Sequence, residues 1–279
     1  MTQVTAEAQD QEAEQAEGEE QSQKQDYSRE KSAAERFEAF GLIIAPLLIA
    51  GLAALIYFYY QSLDLSNAVR QQREALLWDQ KLLPQIKRHV YLASVAAVAV
   101  IAIAVPLGVL LTRKAFRKAG NGVLAVVNSG QAAPAYGLLA IALTIFGLGP
   151  TTAILTLIVY ATLPVLLNTM VGLDAVEDSI IEAGRGMGMT RAQVLFRIEL
   201  PLAVPVIIAG LRTAMIIAIG TAALAFAIGG GGLGDTIFAG IQLRQYPVLY
   251  VGAGLVVLVA LTFDWLGALA ERFLKPRGI

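Results

Sequence analysis

The 279-residue chain has no cysteine, only one histidine, and charged side chains at only 15% of its positions. Without cysteine it can form neither disulfides nor thiolate metal sites, and it has no thiol nucleophile. The lone His89 cannot build a histidine-rich metal cluster, and no GxSxG elbow accompanies it as in a serine hydrolase. No Gly-Lys pair occurs either, which excludes a Walker-type phosphate loop. The sequence therefore argues against most soluble enzyme classes.

Charge is also unevenly spread along the chain. The formal net charge is −1, and 11 of the 22 acidic residues lie within the first 38 positions. Such a chain lacks the concentrated basic surface that phosphate backbones require, so nucleic acid is not expected as a partner. Residues 1–38 have almost no large apolar side chains, which predicts a disordered acidic tail. That tail lacks the basic start and apolar core of a secretory signal peptide.

Long apolar runs dominate the rest of the chain. A helix needs about 20 residues to cross a hydrocarbon core of about 30 Å. Runs of this length satisfy their backbone amides in lipid only as helices, and nothing alternates with the period of two that a β-barrel requires. We therefore predict an all-α integral membrane protein. Its six predicted transmembrane helices lie at about 41–60, 90–112, 122–147, 150–172, 203–228 and 247–270.

The lysines and arginines predict the orientation of these spans. Six spans place both termini on one side, together with the 113–121 and 173–202 loops, and that side carries 14 of the 21 basic residues. The opposite side, with 61–89 and 229–246, carries six. The positive-inside rule then predicts a multi-pass protein of the cell (inner or plasma) membrane with both termini in the cytoplasm.

The loop between the fourth and fifth predicted spans carries the most informative pattern in the chain. Ser179 can cap a short helix, with Glu182 three residues on as its capping-box partner. Gly186 and Gly188 then interrupt this helix, because glycine leaves helical geometry easily. The pattern predicts a first short helix near 179–187.

A second short helix is expected in the same loop. Thr190 can cap it, and it should run through Arg197 until Pro201 stops it before the next span. The small residues Ala183 and Gly184 in the first helix would let another protein approach closely. Together the two helices would form a cytoplasmic surface on which they lie at an oblique angle.

This loop resembles the cytoplasmic loop of the permeases of type I ABC importers. That family has a glutamate-alanine-alanine start, a glycine a few residues on, and an isoleucine-x-leucine-proline close. The matching positions are Glu182, Ala183, Gly184, Gly188, Ile198, Leu200 and Pro201. Gly184 departs from the pattern, since the family usually has a second alanine there, at a cost of ~1 kcal/mol in helix propensity. The resemblance implies that this loop docks into a groove on an ATPase subunit and passes its closure to the spans.

The resemblance extends over about residues 85–275 and looks most like the osmoprotectant branch, whose members import glycine betaine, choline, carnitine and related compounds. It rests on residues 88–94, on 103–113, on 212–214 and on the glycine-rich 228–235. The branch usually has a glutamine-threonine-isoleucine-proline-serine type of stretch in the third span, and the departure there leaves the exact solute open.

The resemblance also implies a domain organisation. A five-helix type I core would occupy 90–272 and contain the 173–202 coupling loop. An extra N-terminal helix at 41–60 and an extracytoplasmic loop at 61–89 would precede that core.

A set of partners follows from the same resemblance. A type I permease works with a second permease copy or paralogue, cytoplasmic ABC ATPase subunits and an extracytoplasmic solute-binding protein, assembled in the lipid bilayer. ATP and Mg would be bound by the ATPase. This chain would then be a non-catalytic translocation subunit without a cofactor or metal of its own.

Five polar, aromatic or helix-distorting side chains interrupt the apolar spans and are candidates for lining the solute pathway. Such groups usually face a cavity or a neighbouring helix, and both roles stay open here. For a quaternary ammonium solute, tyrosine faces could provide weak cation–π contact. The five residues are Asn128, Gln131, Pro134, Tyr136 and Tyr160.

Three other polar residues fall in or beside the apolar runs. Arg212 and Asp264 are expected to snorkel to the membrane surface or to pair with each other. His89 is expected at a membrane boundary, as an interfacial residue rather than a proton switch.

Three alternatives to an osmoprotectant ABC permease remain at this stage. The chain could be an ABC permease for another small polar solute or an amino acid. It could be a secondary transporter without an ATPase partner, which would be indifferent to changes at Glu182 or Gly188. It could also be a non-transporting membrane scaffold, which would tolerate polar changes at Gln131.

Overall fold

The structure is a computed structural model that describes residues 41–275. The predicted acidic tail at 1–38 lies outside this range. All regular elements within it are helical, with no strand among the described residues, which confirms the all-α class. The chain divides into two compact units, residues 1–47 and 48–279. Of the first unit, only the opening turns of the first helix are described.

The helices are numbered α1 to α11 along the chain. Their bounds are α1 Gly41–Ser62, α2 Arg70–Ala75, α3 Leu83–Thr112, α4 Arg117–Ala132, α5 Ala135–Phe146, α6 Pro150–Asp174, α7 Asp178–Gly186, α8 Arg191–Val194, α9 Leu200–Ala222, α10 Gly234–Gln242 and α11 Tyr246–Leu274. A π-helical turn precedes α3 at Trp78–Leu82 and another precedes α9 at Leu195–Glu199. A 3₁₀ segment, Ala223–Ile228, follows α9.

Five continuous helical stretches are long and apolar enough to cross a membrane. They are Gly41–Ser62, Trp78–Thr112, Pro150–Asp174, Arg191–Ile228 and Tyr246–Leu274. The sixth predicted span, 122–147, is not one straight helix, because α4 and α5 meet there at an angle of 100°. The protein is therefore a multi-pass membrane protein with five spans, or six if the bent pair is counted as one.

The bend between α4 and α5 occurs where Pro134 follows Ala133. Proline has no backbone N–H, and it pushes the preceding residue out of helical geometry. Ala133 accordingly adopts extended angles (φ −67°, ψ 140°), and Pro134 becomes the residue that opens α5.

Pro201, by contrast, does not stop its helix, and that prediction is wrong. The helical stretch continues through it from Arg191 to Ile228. The π-helical turn before α9 contains one extra residue, and the Leu200 N–H bonds the Leu195 carbonyl five positions back. Pro201 lies directly after this turn, at the start of α9, and the helical stretch continues through it.

The core forms where α3, α6 and α9 pack on one another through small residues. A Cβ on Gly108 of α3 would lie 2.7 Å from Cγ2 of Thr169 on α6. A Cβ on Gly210 of α9 would lie 2.6 Å from Cβ of Asn168 and 2.7 Å from the Pro164 carbonyl oxygen, both on α6. Such glycines let helix backbones approach closely where lipid supplies no hydrophobic driving force.

This packing predicts opposite effects for the same substitution at two glycines of α9. Gly210→Ala should lower the stability by about 1–3 kcal/mol, because the added methyl group drives α9 away from α6. Gly220→Ala is the matched control, since no atom lies within 4 Å of its Cβ position. Helix propensity should make the control neutral or more stable by up to ~1 kcal/mol. Thermal unfolding in detergent measures both, and equal shifts would contradict the packing account.

Candidate functional site

The predicted coupling loop folds as two short helices, α7 and α8, that pack on each other through a glycine. A Cβ on Gly184 would lie only 2.6 Å from Cδ1 of Ile198 and 3.6 Å from Cγ2 of the buried Val194. Ile198 therefore occupies space that an alanine at 184 would restrict. This contact gives a physical reason for glycine where related loops usually have alanine.

The sequence predicted the start of one of the two short helices correctly and the start of the other incorrectly. Thr190 caps α8 with a complete capping box, in which its hydroxyl accepts from the Gln193 N–H and the Gln193 side chain accepts from the Thr190 N–H. That prediction is confirmed. The predicted Ser179 cap is wrong, because α7 begins earlier, at Asp178, and Glu177 precedes it without a side-chain hydrogen bond.

Gly188 makes the turn between the two short helices possible. Its φ is +83°, in the left-handed region that glycine enters without steric cost. No atom lies within 4 Å of its Cβ position, so the requirement at this residue is conformational and not one of space. Gly186 has equally open surroundings but lies in the last helical position of α7.

The outer surface of the loop is exposed and mixes charge with large apolar groups. Glu182 and Ala183 are exposed on α7. Met187 is 76% exposed and Phe196 is 67% exposed, both unusually open for such side chains. Leu200 and Pro201, the last two residues of the predicted motif, are half-buried at the start of α9.

A partly buried ion pair ties this loop to the end of α3. Arg113 follows α3 and places both terminal nitrogens on the carboxylate of Glu199, with Nη1–Oε1 3.2 Å and Nη2–Oε2 2.5 Å. Glu199 is only 4% exposed. The two-pronged geometry fixes direction as well as distance. It holds the π-helical turn, and with it the root of the loop, against α3.

The second candidate site is an open cleft of about 390 Å³ beside α4, α6 and α9. Two of the five predicted pathway residues line it, Gln131 from α4 and Tyr160 from α6. The other lining residues all come from α9 and were not predicted: Ile216, Ile217, Gly220 and Thr221. The only sequence signal for them is the adjacent glycine and threonine in an otherwise apolar span.

Gln131 and Tyr160 are held in place by carbonyl groups that lack a partner in their own helix. Pro164 has no N–H, so the Tyr160 carbonyl four residues earlier loses its helical donor. The Gln131 Nε2 donates to that carbonyl at 2.5 Å. The Tyr160 hydroxyl in turn donates to the Ala133 carbonyl at the bend between α4 and α5. These two bonds fix the bent pair against α6.

The other three predicted pathway residues lie outside the cleft lining. Asn128 is exposed on α4, and Pro134 is exposed at the bend. Tyr136 is 49% exposed on α5. The 100° bend turns α5, and Tyr136 with it, away from the direction of α4.

The His89 side chain is fully buried within the protein, and its expected position at a membrane boundary stays a prediction. At the end of α9 the backbone N–H groups bond the Gly220 and Thr221 carbonyls. This leaves the Ile219 carbonyl for another donor, and His89 Nε2 lies 3.0 Å from it. The ring therefore carries its proton on Nε2, while Nδ1 is buried with no hydrogen-bond partner among the described residues.

A family model of membrane transport subunits matches residues 104–276, which include the coupling loop and the cleft. Its description is "Binding-protein-dependent transport system inner membrane component". The chain belongs to this family. The match runs from the last third of α3 to the end of α11, so helices α1 and α2 lie outside it.

Curated relatives of this inner membrane component are about 40% identical to it. The choline transport system permease protein OpuBB of Bacillus subtilis is 42% identical over 199 residues, covering 71% of this chain and 91% of that protein. The glycine betaine/carnitine/choline transport system permease protein OpuCB of the same organism is 41% identical, with the same coverage. The osmoprotectant import permease protein OsmY of Salmonella typhimurium is 40% identical over 69% of this chain and 82% of that protein.

Solved structures of ABC transporters share the fold of this family member. An inward-facing structure of the MetNI methionine ABC transporter aligns with a TM-score of 0.62 and 26% identity, over 70% of this chain and 96% of that one. An amino acid ABC transporter aligns with a TM-score of 0.55 and 20% identity, over 68% and 92% respectively, which supports the fold alone.

The hydrogen bond from Gln131 to the Tyr160 carbonyl predicts that a substitution of Pro164 compensates for the loss of the Gln131 amide. Gln131→Leu should destabilise the protein by about 1–3 kcal/mol, because it leaves a buried carbonyl without a donor. Pro164→Ala restores a backbone N–H four residues after Tyr160, so the double variant should recover most of that loss. A double-mutant cycle by thermal unfolding in detergent measures the coupling. Strictly additive effects would contradict this explanation.

Proposed function

We propose that this family member is the translocation subunit of an ATP-driven importer of osmoprotectants such as glycine betaine, choline or carnitine. The observation that carries the proposal is the set of relatives at about 40% identity, whose names specify choline, glycine betaine, carnitine or osmoprotectants. The alignments cover about 70% of the chain. The relatives agree on a class of small quaternary ammonium solutes and differ within it, so the proposal stops at the class.

The chemistry of the cleft supports such a solute. None of its six lining residues is charged, and the Tyr160 hydroxyl is engaged by the Ala133 carbonyl. The solute would therefore meet the aromatic ring, two isoleucine side chains and the open space above Gly220. Methyl groups on a quaternary nitrogen fit apolar and aromatic surfaces, and weak contact suits a conduit that must release its cargo.

The proposed partners follow from the same assignment. The exposed surface formed by Glu182, Ala183, Met187 and Phe196 would dock on an ATPase subunit, which binds ATP and Mg. A second permease copy or paralogue would complete the pathway, and an extracytoplasmic binding protein would deliver the solute. Both termini and the loop around α7 and α8 would lie in the cytoplasm, on the side that carries the basic cluster at 113–118.

Reconstituted transport tests the proposal directly. Proteoliposomes that contain the chain, its ATPase and its binding protein should accumulate labelled glycine betaine, choline or carnitine when ATP is present on the ATPase side. Methionine serves as the competing solute, because a methionine transporter shares this fold. ATP-dependent accumulation of methionine without any of the three quaternary ammonium compounds would overturn the substrate class and leave the ABC assignment intact.

The positive φ of Gly188 predicts that an added methyl group there impairs the coupling of uptake to ATP, although the surrounding space would accept the group. Gly188→Ala forces an L-residue to a φ of +83°, which costs about 1–2 kcal/mol and should shift α7 relative to α8. ATP-dependent uptake should fall severalfold. Gly186→Ala adds the same methyl group in equally open space at a helical position, and uptake should be unchanged. Equal uptake by the two variants would argue against a coupling role for this turn.

A further inference from the structure

The guanidinium of Arg212 joins two membrane-spanning helices through three of its nitrogens. Arg212 lies on α9. Its Nε and Nη2 each lie 3.0 Å from Oδ1 of Asp264, and its Nη1 lies 3.1 Å from Oε2 of Glu271. Both carboxylates belong to α11, seven residues apart and therefore on the same face. The pairing confirms one of the two expectations for Arg212 and Asp264 and adds Glu271, which was not predicted.

A glycine between the two carboxylates makes room for the arginine. A Cβ on Gly267 would lie 2.5 Å from Cγ and 3.2 Å from Cδ of Arg212. The arginine stem therefore lies directly across the backbone of α11, and any larger residue at 267 would displace it. Gly267 thus leaves space for the aliphatic part of the Arg212 side chain, and one carboxylate partner lies on each side of this glycine along α11.

From these ion pairs, α9 leads to the coupling loop, whereas α11 leads to α10 at the opposite end of the protein. α9 is continuous with the coupling loop, because the helical stretch runs unbroken from Arg191. α11 is packed tightly on α10, which follows the glycine-rich turn at the other end of α9. A Cβ on Gly240 of α10 would lie 2.5 Å from the backbone N of Leu249 on α11. A Cβ on Gly252 of α11 would lie 3.1 Å from Ile237 of α10.

We propose that Arg212, Asp264 and Glu271 form a clasp that makes α9 and α11 move as one body during transport. The clasp carries motion of the coupling loop through α11 to α10 and the opposite mouth of the pathway. Arg212 is then a positioning residue for transport, acting through helices and not through contact with solute. This inference rests on the proposed ATP-driven function.

A purely stabilising role would not account for the choice of residues. Apolar residues of similar size commonly replace ion pairs between packed helices without loss of stability, so stability alone does not explain three charged side chains between two spans. A guanidinium that pairs with a carboxylate on each side of a glycine does fix the relative direction and register of two helices. The role of the clasp should therefore appear in the coupling of transport to ATP hydrolysis and not in folding.

Because the chain has no cysteine of its own, the clasp can be replaced by a single engineered disulfide that oxidation forms and reduction breaks. A Cβ at position 267 would lie 3.7 Å from Cβ of residue 212, close to the ~3.8 Å typical of disulfides. Arg212→Cys and Gly267→Cys would be combined with Asp264→Asn and Glu271→Gln, so that no carboxylate is left without its partner. The same folded molecule is then measured with the disulfide oxidised and with it reduced.

The readout is solute accumulated per ATP hydrolysed in proteoliposomes with the ATPase and binding protein. Reduced protein should hydrolyse ATP but transport about tenfold less per ATP than wild type, within the usual range of coupling between sites. Oxidation should restore at least half of the wild-type ratio. Equal ratios in both states, or transport by the reduced state alone, would overturn the proposal.

Two controls separate this inference from its premises. Wild-type chain is measured under the same oxidising and reducing conditions. If it shows no ATP-dependent uptake, the proposed function fails; if it transports and the variant does not respond to oxidation, only the clasp fails. Arg212→Met with Asp264→Leu and Glu271→Met removes the charges altogether. It should unfold at about the wild-type temperature yet remain uncoupled, and full coupling in this variant would also contradict the clasp.

Discussion

In a chain made of membrane-spanning helices, a backbone carbonyl without a helical donor is stabilised when another group within the protein donates to it. Side chains bond three such carbonyls and connect neighbouring segments of this protein. The Tyr160 carbonyl is freed by Pro164 and bonded by Gln131. The Ala133 carbonyl lies at the bend before Pro134 and is bonded by the Tyr160 hydroxyl. The Ile219 carbonyl, where α9 tightens, faces His89.

These bonds connect the fold to the proposed function. The first two hold the bent pair α4 and α5 against α6 and so form one wall of the cleft, while α9 provides the other wall. The same α9 continues into the coupling loop, whose root is held to α3 by Arg113 and Glu199. The surface that would meet an ATPase and the cleft that would pass a solute thus share one helix. Motion at the loop can reach the cleft without an intervening flexible joint.

The spans and the start of α8 in the loop could be predicted from the sequence because both depend on local residue patterns. Apolar runs of sufficient length predicted six spans, five of which are continuous helices, and Thr190 predicted the start of α8 from its own capping box. Pro134 and Pro201 could not be assigned in the same way. Each removes an N–H, and whether the helix breaks depends on neighbours, here the Tyr160 hydroxyl at the bend and a π-helical turn before α9.

The cleft was predicted only in part for the same reason. Gln131 and Tyr160 stand out in sequence as polar groups in apolar spans. The direction of α5, which takes Tyr136 away from the cleft, depends on the bend. The α9 lining consists of isoleucines, a glycine and a threonine, residue types that are common in any span. Residues of this kind become recognisable as a site only when packing leaves an open volume beside them.

We propose that ATP hydrolysis by a partner, and not an ion gradient, drives solute through this chain. The most direct measurement is uptake of labelled glycine betaine, choline and carnitine into proteoliposomes whose ion gradients have been collapsed with ionophores. We expect concentrative uptake of at least one of these solutes. This uptake should require ATP together with the ATPase and binding protein, and it should persist with the ionophores. Uptake that ignores ATP and disappears when the gradients collapse would contradict this proposal and indicate a secondary transporter.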